Sequence, residues 1–362
     1  MKKEALLTTL LLIGLPSIAQ TNITNYTPGV STEGVVYYLP KTAIGIDITI
    51  EKTNYIPGEL CQYAERYLRI NNISSKEDLY HSIRSVTINS EGLPDASKAY
   101  HITFTPKSVA PLVNLNESGI LLSINTEYTP QEETKSPTST NKRQAINPRD
   151  FMTEEMLMTG SKAKLAELVA KEIYNIRESR NLLLRGQNEN TPKDGEAMRI
   201  ILDGMQKQED ALLQLFIGTT TTETTTKTFQ VIPEGDADKV ILGRFSRKLG
   251  LLHPDDLAGM PIYIDIKGSN SVAEPIEPQP KKKPKLKKEK SNKQDGLVYN
   301  IPEKADIKVY TNSETLAETA IPISQFGNTE TLSSSFFSKK KNVRIILDPT
   351  TGALVKVEEV KE

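Results

Sequence analysis

Carboxylates are the residues of this sequence with the simplest route to catalysis. Hydrolysis of a glycosidic bond needs two acids held at a fixed separation, and such a pair leaves no short sequence motif. Asp255 and Asp256, which follow His253 and Pro254, are candidates for such acids. Adjacent acids at the start of a predicted helix more commonly cap that helix. The sequence therefore leaves a carboxylate-dependent hydrolase open without assigning a catalytic residue.

Metal binding has little support in the sequence. His81, His101 and His253 are not spaced to place two ligands on one element, which argues against a zinc site. Asp236 and Asp238 resemble the beginning of a calcium loop, but the later acidic ligand is missing at the required spacing. A turn is the simpler interpretation. We therefore predict no metal ligand and no bound cofactor.

Nucleophilic and nucleotide chemistry are unsupported as well. Cys61, the single cysteine, lies between Leu60 and Gln62 in a predicted helix, where a small buried packing residue is the usual interpretation. The sequence contains no Gly-x-Ser-x-Gly elbow, phosphate loop or dinucleotide-binding glycine pattern. It has no tryptophan, so aromatic rings for a sugar platform would come mainly from tyrosine. Core and strand packing is the simpler explanation for the five early tyrosines, Tyr37, Tyr38, Tyr55, Tyr63 and Tyr67.

The first residues follow the layout of a secretory signal peptide. Lys2 and Lys3 precede an apolar run at 5–15, and the small-residue pattern ends at Ala19. The run is shorter than the roughly 20 residues that a membrane-spanning helix needs. We therefore expect cleavage after Ala19 and export to the periplasm, the outer surface or the medium. No later segment approaches spanning length, so we expect no transmembrane segment in the mature chain.

Composition is typical of a globular protein whose core comes from packing. Hydrophobic residues make up 37% of the chain and charged residues 25%. A single cysteine excludes an intramolecular disulfide. The 45 basic and 46 acidic residues give a formal charge of -1, which argues against a nucleic-acid partner.

Two stretches, 130–150 and 272–295, have the composition of linkers. Both combine proline, charge and small polar residues without an apolar period. Eight lysines and one glutamate fall within 281–293, and like charges of this density keep a segment extended. A solvated spacer is the simpler interpretation. The alternative is a contact with an anionic envelope polymer or lipid headgroups, which salt would weaken.

Two helices are predicted between these linkers. The first spans Lys162–Leu184 and ends at Gly186, and the second begins at Thr191. A short polar loop joins them, which predicts an antiparallel hairpin. Arg180 and Glu209 lie at the margins of the apolar stripes and either pair across the hairpin or stay solvated. The stripes are Leu165, Leu168, Val169, Ile173, Ile176 and Leu183 on the first helix, and Met198, Ile201, Leu202, Met205, Leu212 and Phe216 on the second.

The flanking regions alternate between apolar and polar residues, which predicts β-strands. Ile44, Ile46, Ile48 and Ile50 form the clearest example. The number of such stretches indicates more than one sheet or one large sandwich. The other alternating stretches are 85–88, 100–104, 120–124, 227–231, 262–266, 305–310, 343–347 and 353–357.

These elements predict an α+β fold in which β-rich N- and C-terminal lobes flank a central antiparallel helical hairpin. The predicted organisation is a signal peptide at 1–19, an N-terminal β-rich lobe at 20–129, a linker at 130–150, the helical hairpin at 151–217, a β-rich segment at 218–271, a proline- and lysine-rich linker at 272–295 and a C-terminal β-rich lobe at 296–362.

A short internal repeat relates the two lobes. The residues GVVYYLP at 34–40 recur as GLVYNIP at 296–302, and Ala43 is matched by Ala305. Each copy predicts a strand that ends near a proline and is followed by another strand. The lobes would then share one supersecondary plan through duplication or equivalent structural roles. Because the motif is short, a chance match is the alternative.

Several blocks carry a resemblance to a known family. They are GVVYYLPKTA, PGELCQYAERYL, ELVAKEIYNIRESRNLLLRG, NTPKDGEAMRIILDGMQKQEDALLQLFIG, GLVYNIPEKADIKV and PISQFG. Their sequence and order resemble an uncharacterised exported protein family of Bacteroidetes, the domain-of-unknown-function family 4831. The resemblance covers most of the chain after the signal peptide and implies an exported protein, but it implies no function and transfers no site residue.

Two functional hypotheses from different classes follow. The preferred one is a non-enzymatic exported envelope protein that acts as an interaction or structural module, with an envelope protein or an anionic envelope polymer as its partner. The alternative is a periplasmic, glycan-directed hydrolase whose acids meet only in the folded chain, about 5 to 9.5 Å apart in a concave pocket.

Overall fold

The computed structural model describes residues 22–26, 34–103, 112–129, 146–187, 195–269, 296–333 and 342–360. The predicted signal peptide at 1–19 and the lysine run at 281–293 lie outside them. The strands are β1 Asn22–Asn25, β2 Val35–Ile56, β3 Asp78–Thr103, β4 Val113–Leu115, β5 Leu121–Ile124, β6 Thr219–Val231, β7 Ala237–Ser246, β8 Gly250–Leu252, β9 Met260–Gly268, β10 Gly296–Tyr310, β11 Thr315–Ser333, β12 Asn342–Leu347 and β13 Leu354–Val360. The α-helices are α1 Ala64–Leu68, α2 Glu154–Leu157, α3 Lys162–Leu184 and α4 Gly195–Ile217, and 3-10 helices span Cys61–Tyr63 and Pro148–Phe151.

The described strands form three sheets whose strand pairs are antiparallel. The orders are β1-β3-β2-β6 in the first sheet, β11-β10-β9-β7-β8 in the second and β13-β12-β5-β4 in the third. Each alternating stretch predicted from the sequence falls on one of these strands or on the bridge residue beside it, and only Phe104 lies outside the described residues. Sheets and helices together confirm the predicted mixed α+β class.

The largest core lies between the first and second sheets. Ile44, Ile46 and Ile48 of β2 are fully buried, as their alternation predicts, and face apolar side chains of the second sheet. Branched side chains pack well on pleated surfaces, and burying each contributes about 1.5–3 kcal/mol. The two sheets therefore form the layers of a sandwich. The residues facing β2 are Leu242, Ile262, Ile264, Ile266, Ala305, Ile307, Val309 and Ile323.

A second core lies under the third sheet and combines both ends of the chain. In that sheet β5 pairs with β12, so that Ile124 lies opposite Ile345. Tyr37 at the centre of this core is fully buried and stacks on Tyr100 with ring centroids 5.5 Å apart. The other buried members are Leu39, Ile102, Leu121, Ile124, Leu297, Val298, Val343, Ile345 and Leu347.

The two β-rich regions share both cores, whereas the sequence predicted two lobes on either side of the helices. Strands from 20–129 and 296–362 meet in the third sheet and pack against each other in the sandwich. A sheet with one apolar face needs a second layer to cover it, and here each region supplies the cover for the other. The predicted domain limits themselves stay predictions.

The internal repeat occupies equivalent positions in two β units, which we name the first β unit (β2–β5) and the second β unit (β10–β13). In each, a long strand pairs with the strand that follows it, so that Val35 lies opposite Ile102 and Leu297 opposite Leu332. The loop of a short hairpin, β4–β5 in the first unit and β12–β13 in the second, then contacts the repeat. The Tyr38 N–H donates to the Gly119 carbonyl over 2.9 Å and the Asn300 N–H to the Gly352 carbonyl over 3.0 Å.

A buried polar seam joins the two units. The Thr42 N–H donates to Gln325 Oε1 over 2.8 Å, and Gln325 Nε2 donates back to the Thr42 carbonyl over 2.8 Å. Ser324 Oγ donates to the Pro40 carbonyl, and Asn300 Nδ2 donates to the same oxygen, each over 3.0 Å. Buried polar groups keep their hydrogen bonds through this seam, which fixes how the units meet.

The helices form a third layer, attached where β2 ends and β6 begins. The Leu60 N–H donates to the Leu215 carbonyl over 2.7 Å, and Tyr55 Oη donates to the Ile217 carbonyl over 3.1 Å. Gly58 permits this contact, since a β-carbon there would lie 2.2 Å from the Leu215 oxygen. Among the described residues no helix is long and apolar enough to span a bilayer.

Candidate interaction surface

The helices α3 and α4 pack side by side in opposite directions. Arg177 Nε on α3 donates to Glu209 Oε1 on α4 over 2.6 Å, and Arg180 Nη1 donates to Gln206 Oε1 over 2.6 Å. Between these two contacts the residue number rises by three on α3 and falls by three on α4, so the helices are antiparallel. The C-terminal end of α3 and the N-terminal end of α4 therefore lie at the same end of the helix pair.

A buried carboxylate ties the middle of the helix pair together. Glu209 is 4% exposed, and Arg180 Nη1 lies 2.9 Å from its second oxygen in addition to the Arg177 contact. That second oxygen receives an ion pair but no well-aligned hydrogen bond from the described residues. Burying a charge is costly unless charged partners compensate it, and two arginines do so here. The pairing of Arg180 with Glu209, one of two alternatives from the sequence, is confirmed, while the sequence interpretation missed Arg177.

The helical core covers only the base of this pair. It reaches Ile176 on α3 and Met205 on α4, where the base packs against α1 and the residues beside α2. From Ile176 to Leu184, α3 continues for 184 minus 176, or 8, residues. At 1.5 Å per residue this is about 12 Å. The far end of the pair therefore extends beyond this core, although Leu183 within it is buried, with 5% exposure.

This far end exposes large apolar side chains, which we call the apolar tip. Its members are Leu182, Leu184, Ile200 and Ile201, exposed by 40%, 62%, 63% and 39%. Grouped exposed apolar residues are characteristic of protein interaction sites, whereas isolated ones are ordinary. Ile201, a member of the stripe predicted for the second helix, is among these exposed residues.

The end of α3 is well defined. The Gly186 N–H donates to the Leu183 carbonyl and the Gln187 N–H to the Leu182 carbonyl, each over 3.0 Å. Gly186 has φ +66, so this is a Schellman motif and the predicted helix stop is confirmed. The predicted start of the second helix at Thr191 lies outside the described residues. Leu184 thus sits on a capped final turn instead of a fraying one.

The candidate acids of the sequence lie in an exposed turn between β8 and β9. His253 Nδ1 and Asp255 Oδ2 are 3.3 Å apart with side chains 75% and 92% exposed. The expected helix start is wrong here, since residues 253–259 form turns. Asp256 Oδ1 instead accepts the Ala258 N–H over 3.0 Å. Side chains this exposed lack the enclosed pocket that a catalytic acid pair requires.

The other candidate ligands take structural roles in separate places. Asp236 Oδ1 accepts the Gly268 N–H over 2.8 Å, which joins the start of β7 to the end of β9. His81 and His101 lie near opposite ends of β3, far in sequence from the His253 turn. Within the described stretches no three His, Cys, Asp or Glu residues are grouped as a metal site would require.

The tyrosines and the cysteine do not form one surface. Tyr37 Oη donates to the Val298 carbonyl over 3.3 Å and accepts the Val298 N–H over 3.2 Å. Burial raises the pKa of Tyr37 well above its usual value. Tyr63 and Tyr67 instead pack beside the helical core. Cys61 is half-buried in a 3-10 helix, so it is less enclosed than the sequence interpretation expected.

One shallow polar depression lies beside the β10–β11 turn. Asp265, Lys308, Tyr310 and the turn residues 311–315 line a volume of about 270 Å³. Asp265 Oδ1 accepts the Tyr310 hydroxyl over 3.0 Å and the Lys239 N–H over 2.8 Å. Desolvation and this bond to Asp265 raise the pKa of Tyr310. Asp265, which the sequence interpretation did not single out, is therefore already engaged by two donors.

Comparison with protein families places the chain. The family model described as Domain of unknown function (DUF4831) matches residues 33–355, which include almost all of both β units and the helical layer. The chain belongs to this family. The DUF4831 match begins one residue before Gly34, and both copies of the repeat, 34–40 and 296–302, lie within the matched residues. Searches of curated proteins and of solved structures gave no match.

Proposed function

We propose that this DUF4831 protein is a non-enzymatic, exported envelope protein that acts as an interaction module, and that the apolar tip binds a partner protein. The observation that carries the proposal is the grouping of Leu182, Leu184, Ile200 and Ile201 at one end of a helix pair that extends beyond its own core. Exposed apolar side chains grouped in this way are characteristic of protein interaction sites.

The rest of the helix pair supports the same interpretation. Glu209 is held by two arginines in the middle of the pair, and the helical core holds the base against the end of β2. A surface on an anchored element loses less conformational entropy when it binds than a surface on a loop. The tip is thus suited to presenting a fixed apolar surface.

The proposal also includes the location of the protein and a second attachment through the lysine run. The signal-peptide layout at 1–19 would deliver the chain to the periplasm or the outer surface. The lysines of 281–293, outside the described residues, would add a second, salt-sensitive attachment to an anionic envelope polymer. The β-rich lobes would then serve as the scaffold that carries both attachments.

The test is site-specific photo-cross-linking in the native envelope with the full chain. A photoreactive residue at Leu184 or at Ile200 is expected to capture the same partner protein. Leu257 is 82% exposed and lies in the β8–β9 turn, so a probe there is a matched control that should not capture it. Different partners from the two tip positions, or the same partner from Leu257, would contradict the proposal.

Variants then separate the two attachments. The double substitution Leu184→Glu and Ile200→Glu should abolish capture by a probe at Leu182, whereas Leu257→Glu should leave it unchanged. Removing 281–293 should release the protein from the envelope at moderate salt without changing the partner captured by the tip. If the tip variant still captures the partner and only removal of the lysines prevents it, attachment belongs to the lysine run.

The glycan-directed hydrolase remains the alternative, and it has its own assay. Among the described residues, the depression that contains Asp265 and Glu314 is where two such acids can be tested. Release of reducing ends from envelope glycan by the purified chain, lost in Asp265→Asn and retained in Asp256→Asn, would favour the hydrolase over the interaction module.

A further inference from the structure

The strand β6 is a long, regular edge strand. It borders the first sheet and pairs with β2 over all thirteen of its residues, from Thr219 to Val231, without a register shift. On its other side, no described residue forms a backbone hydrogen bond with it. None of its side chains is buried. Within the described part of the chain, its outer row of backbone N–H and C=O groups is therefore unpaired.

Edge strands in soluble proteins are usually blunted by shortness, proline, bulges or inward charges. The other described edges follow this rule: β1, β4 and β8 have four, three and three residues, and the pairing of β11 with β10 is interrupted by bulges. The remaining edge, β13, pairs with β12 through a register shift and carries the charged residues Lys356, Glu358 and Glu359. By contrast, β6 lacks proline and contains eight threonines, which favour strand structure. Its edge has the properties of a strand that another strand covers.

We propose that β6 pairs with β6 of a second copy of this chain across a two-fold axis, which would make the protein a symmetric dimer. The charges of β6 select the register. Glu223 and Lys227 are the charged residues of the strand, and each lies two positions from Thr225. With Thr225 opposite its symmetry mate, each Glu223 lies opposite the Lys227 of the other copy. Two opposite-charge pairs then form across the interface.

Neighbouring registers lack this match. With a two-fold axis perpendicular to the sheet, each residue lies opposite a residue whose side chain is on the same face. The axis therefore passes between one residue and its own symmetry mate, and neighbouring registers shift the two strands by two residues. Centring on Glu223 or on Lys227 places like charges opposite each other. Centring on Thr224 leaves both charges opposite threonine, and centring on Thr226 leaves Glu223 opposite Phe229 and Lys227 opposite Thr225. Directly opposed like charges are destabilising. Only the Thr225 register satisfies both charges.

The charged side chains are accessible for this exchange. The Glu223 side chain is 75% exposed and its contact with Lys52 measures 3.4 Å, so it can accept a second cation. The ammonium of Lys227 lies 5.2 Å from the ring centre of Phe229 on the same face of the strand. In the proposed register Phe229 lies opposite Thr221 of the second copy. The inference does not rest on the apolar tip, because β6 and the tip are different surfaces.

Charge reversal tests the register by analytical ultracentrifugation of the mature full chain. The unaltered chain should sediment as a dimer. Lys227→Glu and Glu223→Lys should each raise the dimer dissociation constant by about tenfold or more, since both pairs become repulsive. The double variant carrying both changes should restore the dimer. An equimolar mixture of the two single variants should form a mixed dimer, because both of its pairs are attractive.

An engineered disulfide provides an independent measurement. Directly opposed residues of an antiparallel pair have Cα atoms about 4.5–5.5 Å apart, which suits a disulfide. In a Cys61→Ala background, Thr225→Cys should therefore yield a covalent dimer under mild oxidation at low protein concentration. Thr221→Cys is the matched control, because the two copies of residue 221 would be eight positions apart along the strand, about 26 Å.

The outcomes are decisive in both directions. Restoration of the dimer by the double reversal, together with cross-linking at 225 but not at 221, establishes the interface and its register. A chain that stays monomeric at about 100 μM, or a dimer unaffected by either single reversal, overturns the proposal. Circular dichroism melting of each variant must match that of the unaltered chain, which the exposure of both charged residues leads us to expect.

Discussion

The two β units share one plan but differ where their long strands turn back. In the second β unit a four-residue turn, 311–314, joins β10 to β11. In the first β unit the residues at 57–77 replace that turn and carry a 3-10 helix and α1, whose side chains enter the helical core. The helical layer consequently attaches to one unit alone. The candidate interaction surface is therefore associated with only one of the two β units, the one in which a longer connection between the paired strands packs against the helices.

Equivalent positions also differ in burial. Tyr37 and Tyr299 occupy the same place in the repeat, yet Tyr37 is fully buried in the second core while Tyr299 is partly exposed and donates to Glu330 over 3.0 Å. The third sheet and both long strands surround the Tyr37 ring. The same residue in the same motif therefore has a different energetic role in each unit.

The largest effect is expected from truncating these tyrosines. Tyr37→Ala should lower the free energy of unfolding by about 3–5 kcal/mol, since it empties a buried aromatic site. Tyr299→Ala, the matched control, should cost about 1 kcal/mol or less. Urea unfolding of both variants measures the difference. Equal losses of unfolding free energy would show that the two tyrosines stabilise the protein equally despite their different burial.

A smaller, symmetrical effect is expected at the glycines that begin each repeat. A β-carbon on Gly34 would lie 2.1 Å from the Ile102 carbonyl oxygen, and one on Gly296 would lie 2.1 Å from the Leu332 oxygen. Their φ angles, +152 and +153, also favour glycine. Gly34→Ala and Gly296→Ala should therefore each cost about 1–3 kcal/mol. A loss confined to one of them in thermal or urea unfolding would break the structural equivalence of the two units.

The smallest effect on stability is expected at the first residue of β3 and of β11, the second long strand of each β unit. The hydrogen bond from Lys248 to Asp78, at the start of β3, holds the pKa of Asp78 below its usual value of 3.8. At the start of β11 stands Thr315, which does not titrate. Because the folded pKa of Asp78 is lowered, its stabilisation is present above the unfolded pKa and is lost as the pH falls through the folded pKa.

Nuclear magnetic resonance titration of the Asp78 carboxyl should accordingly give a midpoint below 3.8 that returns towards the usual value in Lys248→Ala. Asp78→Asn should slightly flatten the acid limb of the stability profile. An unchanged midpoint in Lys248→Ala would show that the contact with Lys248 has no energetic consequence.

Local patterns predicted the elements of the fold well. The isoleucine alternation identified the buried face of β2, and Gly186 identified the end of α3, because both depend on neighbouring residues. The Asp255 turn was predicted as a helix start because capping residues and turn residues have the same chemistry. The exposure of Ile201 could not be predicted, since an amphipathic stripe indicates which face of a helix tends to be buried but not whether another element buries it.

By itself, the sequence determined the mixed class of the fold, the positions of the long helices, the repeat and the family, because these follow from periodicity and local motifs. Only the tertiary structure decided that strands from both regions share two cores, that Arg177 joins Arg180 at Glu209, that the apolar tip extends beyond the helical core and that β6 is an edge among the described strands. Those features depend on which surfaces meet across more than a hundred residues of chain, and no local pattern specifies that pairing.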